Sequence, residues 1–469
     1  MKSRIIKSLK IILFVGCIFI SLGVIQDIVC PKFESPLGLR SGFSDEEENS
    51  IDVLFLGTSN MFLTINPVLL YEDTGITAFD FGSSSQSLNM TYMYLKEALK
   101  TQSPEVVCVE VLASRADFNN ELYESGLRWG FTYFPTNIEK LEGIYNQLHT
   151  IDADFLSYIF PILRYKDRWK ELTENDFTDD YATYWKGCEV SWNVTEVEYD
   201  DSYWEETEWE LADSNILYLD KIRELCEEEG IELILFKSPT PSLWKNIYSL
   251  AIQEYADEYQ LPFIDYNMKL DELGIDVTQD FRDAGHVNMD GSRKITKDFG
   301  EYLLSNYDLT DHRTGENNSW DQSVEEMDRR NANSALNSQK ADMLSFIEKL
   351  SDEDYTIMFT ICGEINADMR EALMDYFEIS GDIDGCIRVN GENVLTVSNQ
   401  VEYSWHDTLE GQDYAMECVL QEADDGESVL TADFYVNGES CKQVENGINI
   451  IVYDNRLDYI VSQAGIAAD

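Results

Sequence analysis

The sequence predicts an α/β protein: a three-layer α/β/α domain on a parallel sheet, a C-terminal α+β domain that is mainly β, and an N-terminal transmembrane helix. Three observations predict it. Apolar runs alternate with helix-period segments between Ile51 and Ser305, the pattern changes to short strands in residues 346–469, and residues 1–30 are basic and then apolar.

In chain order, Lys2, Arg4, Lys7 and Lys10 precede an uncharged run from Ile11 to Gln26. This reads as an uncleaved anchor with its basic flank in the cytoplasm and the bulk of the chain outside the cell; a cleaved signal peptide is the rival reading. The core domain is expected over 45–308. IDVLFLG, ITAFDFG, EVVCVEVL, IELILFKS and PFIDY are its strands, and SLNMTYMYLKEALK, SNILYLDKIRELCEEEG, PSLWKNIYSLAIQEYADEY and a last helix near Gly291 to Ser305 are its helices. Continuous apolar strands separated by helices imply a parallel sheet covered on both faces, with ligands at the carboxyl ends of the strands.

An insertion over about 114–213 interrupts this pattern. It contains FPILRYKDRWKEL and the acidic run EVEYDDSYWEETEWELAD. The run reads first as a solvated face; Tyr199, Tyr203, Trp204 and Trp209 keep open a lid or a carbohydrate-stacking surface. Arg164 and Arg168 read as packing their stems beside Trp169, with anion binding as the alternative. Residues 309–345, rich in Asn, Ser and Asp, read as a linker or loosely packed helix. Beyond them come six short strand runs and one helix, ADMREALMDYF.

Asp and Glu number 89 against 34 Lys and Arg, a formal charge of −55, which excludes nucleic acid as a partner. The nine cysteines lack zinc-finger spacing, so no metal is expected; the four in the last 110 residues leave disulfides and buried thiols equally open.

The chemistry concentrates in two places. Ser59, in LFLGTSN, directly follows the first strand, where Gly57 permits a tight turn into a helix and backbone N–H groups favour an oxyanion. His286, in DFRDAGHVNMDG, has Asp283 three residues before it, close enough for a carboxylate to fix the imidazole tautomer. Gly82, in FGSSSQS after the second strand, lets the backbone approach a reacting carbonyl. Lys237, in FKSPTP, reads as solvent-facing, with substrate contact as the alternative, and His406 as a loop residue.

GTSN after strand one, the glycine loop after strand two and DxxH before the last helix resemble the SGNH/GDSL hydrolase superfamily over residues 51–306. The resemblance implies a flavodoxin-like domain and a Ser59–Asp283–His286 triad, with the oxyanion held by the N–H groups of Ser59 and Gly82. Two departures stand out: Thr58 replaces the aspartate of GDS, and no GxND follows strand three. The side-chain oxyanion donor is therefore open, with Asn60 and Asn288 as candidates. Both departures resemble the membrane-anchored branch acting in alginate O-acetylation and D-alanyl transfer to lipoteichoic acid, which implies a membrane acyl-donor partner protein. Near the C-terminus, ADFYVNGESCKQVENGINIIVYDNRLDYIV resembles the interleukin-like EMT inducer domain, implying glycan binding.

The expected function is thus an extracytoplasmic serine esterase or O-acyltransferase acting, without a cofactor, on ester groups of a cell-envelope polysaccharide. The chain's acidity favours a neutral polymer over teichoic acid. The alternative is a non-catalytic glycan-binding or scaffold protein with a vestigial triad.

Overall fold

In a computed structural model, the residues described are 2–31, 42–117, 124–135, 137–148, 155–177, 185–199, 208–313, 318–338, 355–362, 367, 371, 385–390, 393–396, 403–409, 412–422, 428–436, 439–440, 442–444, 447–454, 456–457 and 459–467. His149, Tyr203, Trp204 and most of the expected helix ADMREALMDYF lie outside them, as do the side chains of Cys362, Cys386, Cys418 and Cys441. The chain forms two units, Met1–Met327 and Asp328–Asp469.

In the first unit the five apolar runs become β1 (Val53–Leu56), β2 (Ala78–Asp80), β3 (Val106–Glu110), β4 (Glu232–Lys237) and β5 (Phe263–Asp265). They make one parallel sheet in the order β2-β1-β3-β4-β5. The strands are short and almost wholly apolar because helices cover both faces. Leu54, Leu56, Val107 and Val109 enter a core with Leu95, Leu219 and Ile252 of α4 (Leu88–Ala98), α5 (Asp213–Glu229) and α6 (Asn246–Tyr259). The alternate residues Val53, Phe55, Val106 and Cys108 face Leu70 of α3 (Pro67–Thr74) and Ile295, Phe299 and Leu303 of α7 (Met289–Asn306). The strand order reverses beside β1, which makes its carboxyl end the natural ligand crevice.

The insertion's extended stretch 185–199 runs along this carboxyl edge. The Asp80 N–H donates to the Lys186 carbonyl, the Glu189 N–H to Phe62, the Met289 N–H to Ser191 and the Thr195 N–H to Phe281. One stretch thereby touches β2, the Ser59 helix, the last helix and the strand carrying Asp283. Two aromatic residues of the insertion are engaged: Tyr199 donates to Asn267 Oδ1, and Trp209 packs on Tyr248 at 4.7 Å. Arg164 lies over the Tyr158 ring at 4.6 Å, and Arg168 pairs with Asp176.

The expected single-pass anchor is corrected. Among the described residues no helix is long and apolar enough to cross a membrane. Residues 2–29 do form a helix, α1 (Lys2–Val29), but the charge-free run between Lys10 and Asp27 is shorter than the ~20 residues that a hydrocarbon core requires. The end of α1 instead meets the insertion, where Arg168 donates to the Val29 carbonyl at 3.1 Å.

The second unit holds an antiparallel sheet of β8 (Tyr355–Cys362), β9 (Gly385–Asn390), β10 (Asn393–Thr396), β15 (Gly447–Asp454) and β16 (Tyr459–Ala467), ordered β10-β9-β8-β15-β16. A four-stranded sheet joins β11 (Tyr403–Leu409), β12 (Gln412–Glu422), β13 (Ser428–Val436) and β14 (Glu439–Ser440). His406 therefore belongs to a strand, paired with Ala415, and not to a loop. Within the linker region, residues Ser319–Ser338 form helix α8.

Candidate active site

The site begins where β1 ends. Gly57 adopts φ +154°, and a Cβ there would stand 2.6 Å from Glu110 Cβ, so the turn requires glycine. It leads into the one-turn helix α2 (Ser59–Phe62), whose N-cap Thr58 accepts from the Asn60 N–H. Ser59 itself is half-buried.

Opposite it stands a tight hairpin of β6 (Phe281–Asp283) and β7 (His286–Val287), in which Asp283 pairs across the ladder with His286. Ser59 Oγ lies 2.8 Å from His286 Nε2, and His286 Nδ1 lies 2.9 Å from Asp283 Oδ1. Burial alone would raise the Asp283 pKa, but the Gly285 N–H, 2.8 Å from Oδ1, and the imidazole and Arg282 outweigh it and hold the carboxyl below its ordinary value. The carboxylate therefore stays ionised and favours the Nδ1–H tautomer, leaving Nε2 to face the serine hydroxyl. Arg282 is itself paired with Glu189 at 2.7 Å.

The loop after β2 abuts this turn. The Phe81 N–H donates to the Phe55 carbonyl, and a Cβ on Gly82 would stand 2.6 Å from the Gly57 carbonyl oxygen. Gly82 is thus placed beside the Ser59 turn by backbone contact that any side chain would obstruct.

The two asparagines take other roles. Asn288 caps α7, its Oδ1 accepting from the N–H groups of Asp290 and Gly291, while its Nδ2 donates to the carbonyls of Asn193 and Gln279. Both amide hydrogens are used, which removes Asn288 as an oxyanion donor. Asn60 Nδ2 donates to the Gly285 carbonyl at 3.2 Å, and its Oδ1 accepts from Lys237 and Ser238, each at 3.0 Å, and from Thr240.

Lys237 is the larger correction: it is not solvent-facing but fully buried, with Nζ 3.0 Å from Glu110 Oε1. Burial pushes the ammonium pKa down, and the Glu110 carboxylate opposes that push. Glu110 also accepts from the Thr58 hydroxyl at 2.9 Å and from the Leu112 N–H at 3.0 Å. The available signal was an acid and a lysine ending two strands that prove to be neighbours. Among the described residues, no group of three or more His, Cys, Asp or Glu side chains could hold a metal ion.

No protein-family model matches the chain. No curated protein matches it either. Among solved structures it is similar to one described as a lipolytic protein of the G-D-S-L family from Desulfitobacterium hafniense, at 14% identity and TM-score 0.27, covering 54% of this chain and 98% of that one. It is also similar to a gut microbial diltiazem-metabolizing enzyme, at 11% identity and TM-score 0.20, covering 82% of this chain and 61% of that one.

Proposed function

We propose that this chain is a serine esterase or O-acyltransferase of the SGNH type. The observation that carries the proposal is the continuous hydrogen-bonded line Ser59–His286–Asp283 at the carboxyl end of β1. Ser59 Oγ attacks the acyl carbonyl while His286 Nε2 takes the hydroxyl proton, and Asp283 stabilises the imidazolium that forms. The backbone N–H groups of Ser59 and Gly82 hold the tetrahedral oxyanion. Collapse expels the alcohol, which receives the proton from His286; water or a second hydroxyl then resolves the acyl-enzyme by the same steps reversed.

The substrate we propose is an O-acylated polysaccharide, O-acetyl esters foremost. The His286 side chain retains 22% of its exposure and Asp283 47%, so the triad lies near the surface. A shallow site suits an ester displayed on a large chain. With a net charge of −55, a neutral or weakly charged polymer is favoured over a polyanion.

The test is to incubate the full chain with p-nitrophenyl acetate and a fluorophosphonate probe, with Ser59→Ala in parallel. Nitrophenol release and labelling in the wild type alone support the proposal. An unlabelled wild type, or equal labelling of Ser59→Ala, overturns it in favour of a non-catalytic binding protein.

A further inference from the structure

Behind the Ser59 turn lies a polar cluster cut off from water: Thr58, Asn60, Glu110, Lys237, Ser238 and Thr240 are each at most 2% exposed. A buried ion pair is weak evidence for stability, since apolar residues of similar volume often do as well. What such a cluster does supply is fixed geometry, and here the geometry brackets the nucleophile on both sides.

Resting on the esterase reading, we infer that Asn60 and Lys237 are positioning residues that lock the Ser59 turn to the His286 hairpin. Asn60 directly follows Ser59, and Gly285 directly precedes His286. The bond from Asn60 Nδ2 to the Gly285 carbonyl therefore ties together the two segments whose side chains must meet at 2.8 Å. Lys237 decides which way the Asn60 amide points. An ammonium only donates, so the amide atom 3.0 Å from Nζ has to be the oxygen, which turns the NH2 toward Gly285. The hydroxyls of Ser238 and Thr240 donate to that same oxygen.

The residue before Ser59 is held by the same lysine. Lys237 pairs with Glu110 Oε1, and Glu110 Oε2 accepts the Thr58 hydroxyl. This accounts for a threonine in place of the acid at position 58, where a carboxylate would face Glu110.

Asn60→Asp separates positioning from folding. It keeps the size and the oxygen facing Lys237 and replaces the donor aimed at Gly285 with an acceptor, while placing a second buried carboxylate beside the one ammonium that Glu110 already pairs. The expected result, per folded enzyme, is a kcat on p-nitrophenyl acetate lower by about 10- to 100-fold with KM within about twofold, together with a lower melting temperature from the added buried charge. Fluorophosphonate labelling of Ser59 should slow in parallel. A paired Lys237→Met, Glu110→Gln variant, which keeps an acceptor for Thr58, should fold and show the same kcat loss. Should Asn60→Asp fail to fold, Ser238→Ala with Thr240→Val removes two donors to the Asn60 oxygen and should also lower kcat. Wild-type kcat in the folded variants, or a loss that only tracks the folded fraction, overturns the inference while leaving the esterase reading intact. An unlabelled wild type overturns both.

Discussion

Ser59 Oγ and His286 Nε2 stand 2.8 Å apart across 227 residues of sequence, each on a short, stiff element. Ser59 opens a one-turn helix behind a glycine turn, and His286 belongs to a two-residue strand paired with the segment carrying its own carboxylate. Neither side chain depends on a long loop for its position, so the contact is pre-formed before any substrate arrives.

Truncating this line is expected to abolish turnover without unfolding the chain. Ser59→Ala and His286→Gln should each lower kcat/KM on p-nitrophenyl acetate by about 10³-fold or more, with melting temperatures near wild type. Asp283→Asn should act comparably, because an amide can present its N–H to Nδ1 and favour the wrong tautomer. A residual rate in Ser59→Ala equal to wild type would place the chemistry elsewhere.

Asp283 also sets a pH window. Its folded pKa is depressed, so the stability it contributes is fully present above the unfolded carboxylate value of about 3.9 and disappears as pH falls through the folded value. Denaturant midpoints measured between pH 7 and pH 2.5 should converge at the acid end for wild type and Asp283→Asn. Divergence on acidification would contradict the direction of the shift.

Asp80, at the end of β2, behaves in the opposite sense. It is 1% exposed, neither carboxyl oxygen has a hydrogen-bond partner among the described residues, and burial raises its pKa well above the ordinary value. The folded state keeps the proton that the unfolded chain releases. Stability then falls as pH rises above about 4, by up to about 1.4 kcal/mol per pH unit, until the folded carboxyl ionises. Asp80→Asn, close in shape and without the proton, should flatten the dependence of stability on pH above that point. An unchanged slope would show that Asp80 is ionised in the fold.

Legibility in the sequence followed locality. The five strands could be read because burial on both faces makes each a continuous apolar run, as in VLFL and VVCVE. Asp283 and His286 could be paired because three residues in one turn suffice to join them. Lys237 could not, since its burial depends on Glu110, 127 residues away, and a lone lysine at a strand end is ordinarily solvated. Asn288 was ambiguous for a different reason: an asparagine before a helix serves equally as a cap or as a donor, and only the carbonyls of Asn193 and Gln279 decide it. The path of 185–199 along the carboxyl edge is set by backbone hydrogen bonds, which leave no periodicity to read.

The Asn288 cap makes a separable prediction. Asn288→Ala removes the acceptor for two N–H groups at the start of α7 and should lower stability by about 1–2 kcal/mol. Its effect on kcat should be small beside that of Asn60→Asp, because its amide donates to Asn193 and Gln279 and not into the site. A kcat loss exceeding that of Asn60→Asp would restore Asn288 as an oxyanion donor.

The buried pair tests how the site is held. Lys237→Met alone leaves the Glu110 carboxylate, 1% exposed, without its cation, while Glu110 still has the Thr58 hydroxyl and the Leu112 N–H as donors. Those two neutral donors do not replace an ammonium, so the single variant should lose about 3–5 kcal/mol of stability. Adding Glu110→Gln removes the orphaned charge and should return most of that loss. The two changes should therefore be strongly non-additive in a double-mutant cycle read by urea denaturation. Additive losses would mean that Lys237 and Glu110 stabilise the fold independently, and that the lysine is buried as a neutral amine and not as the partner of Glu110.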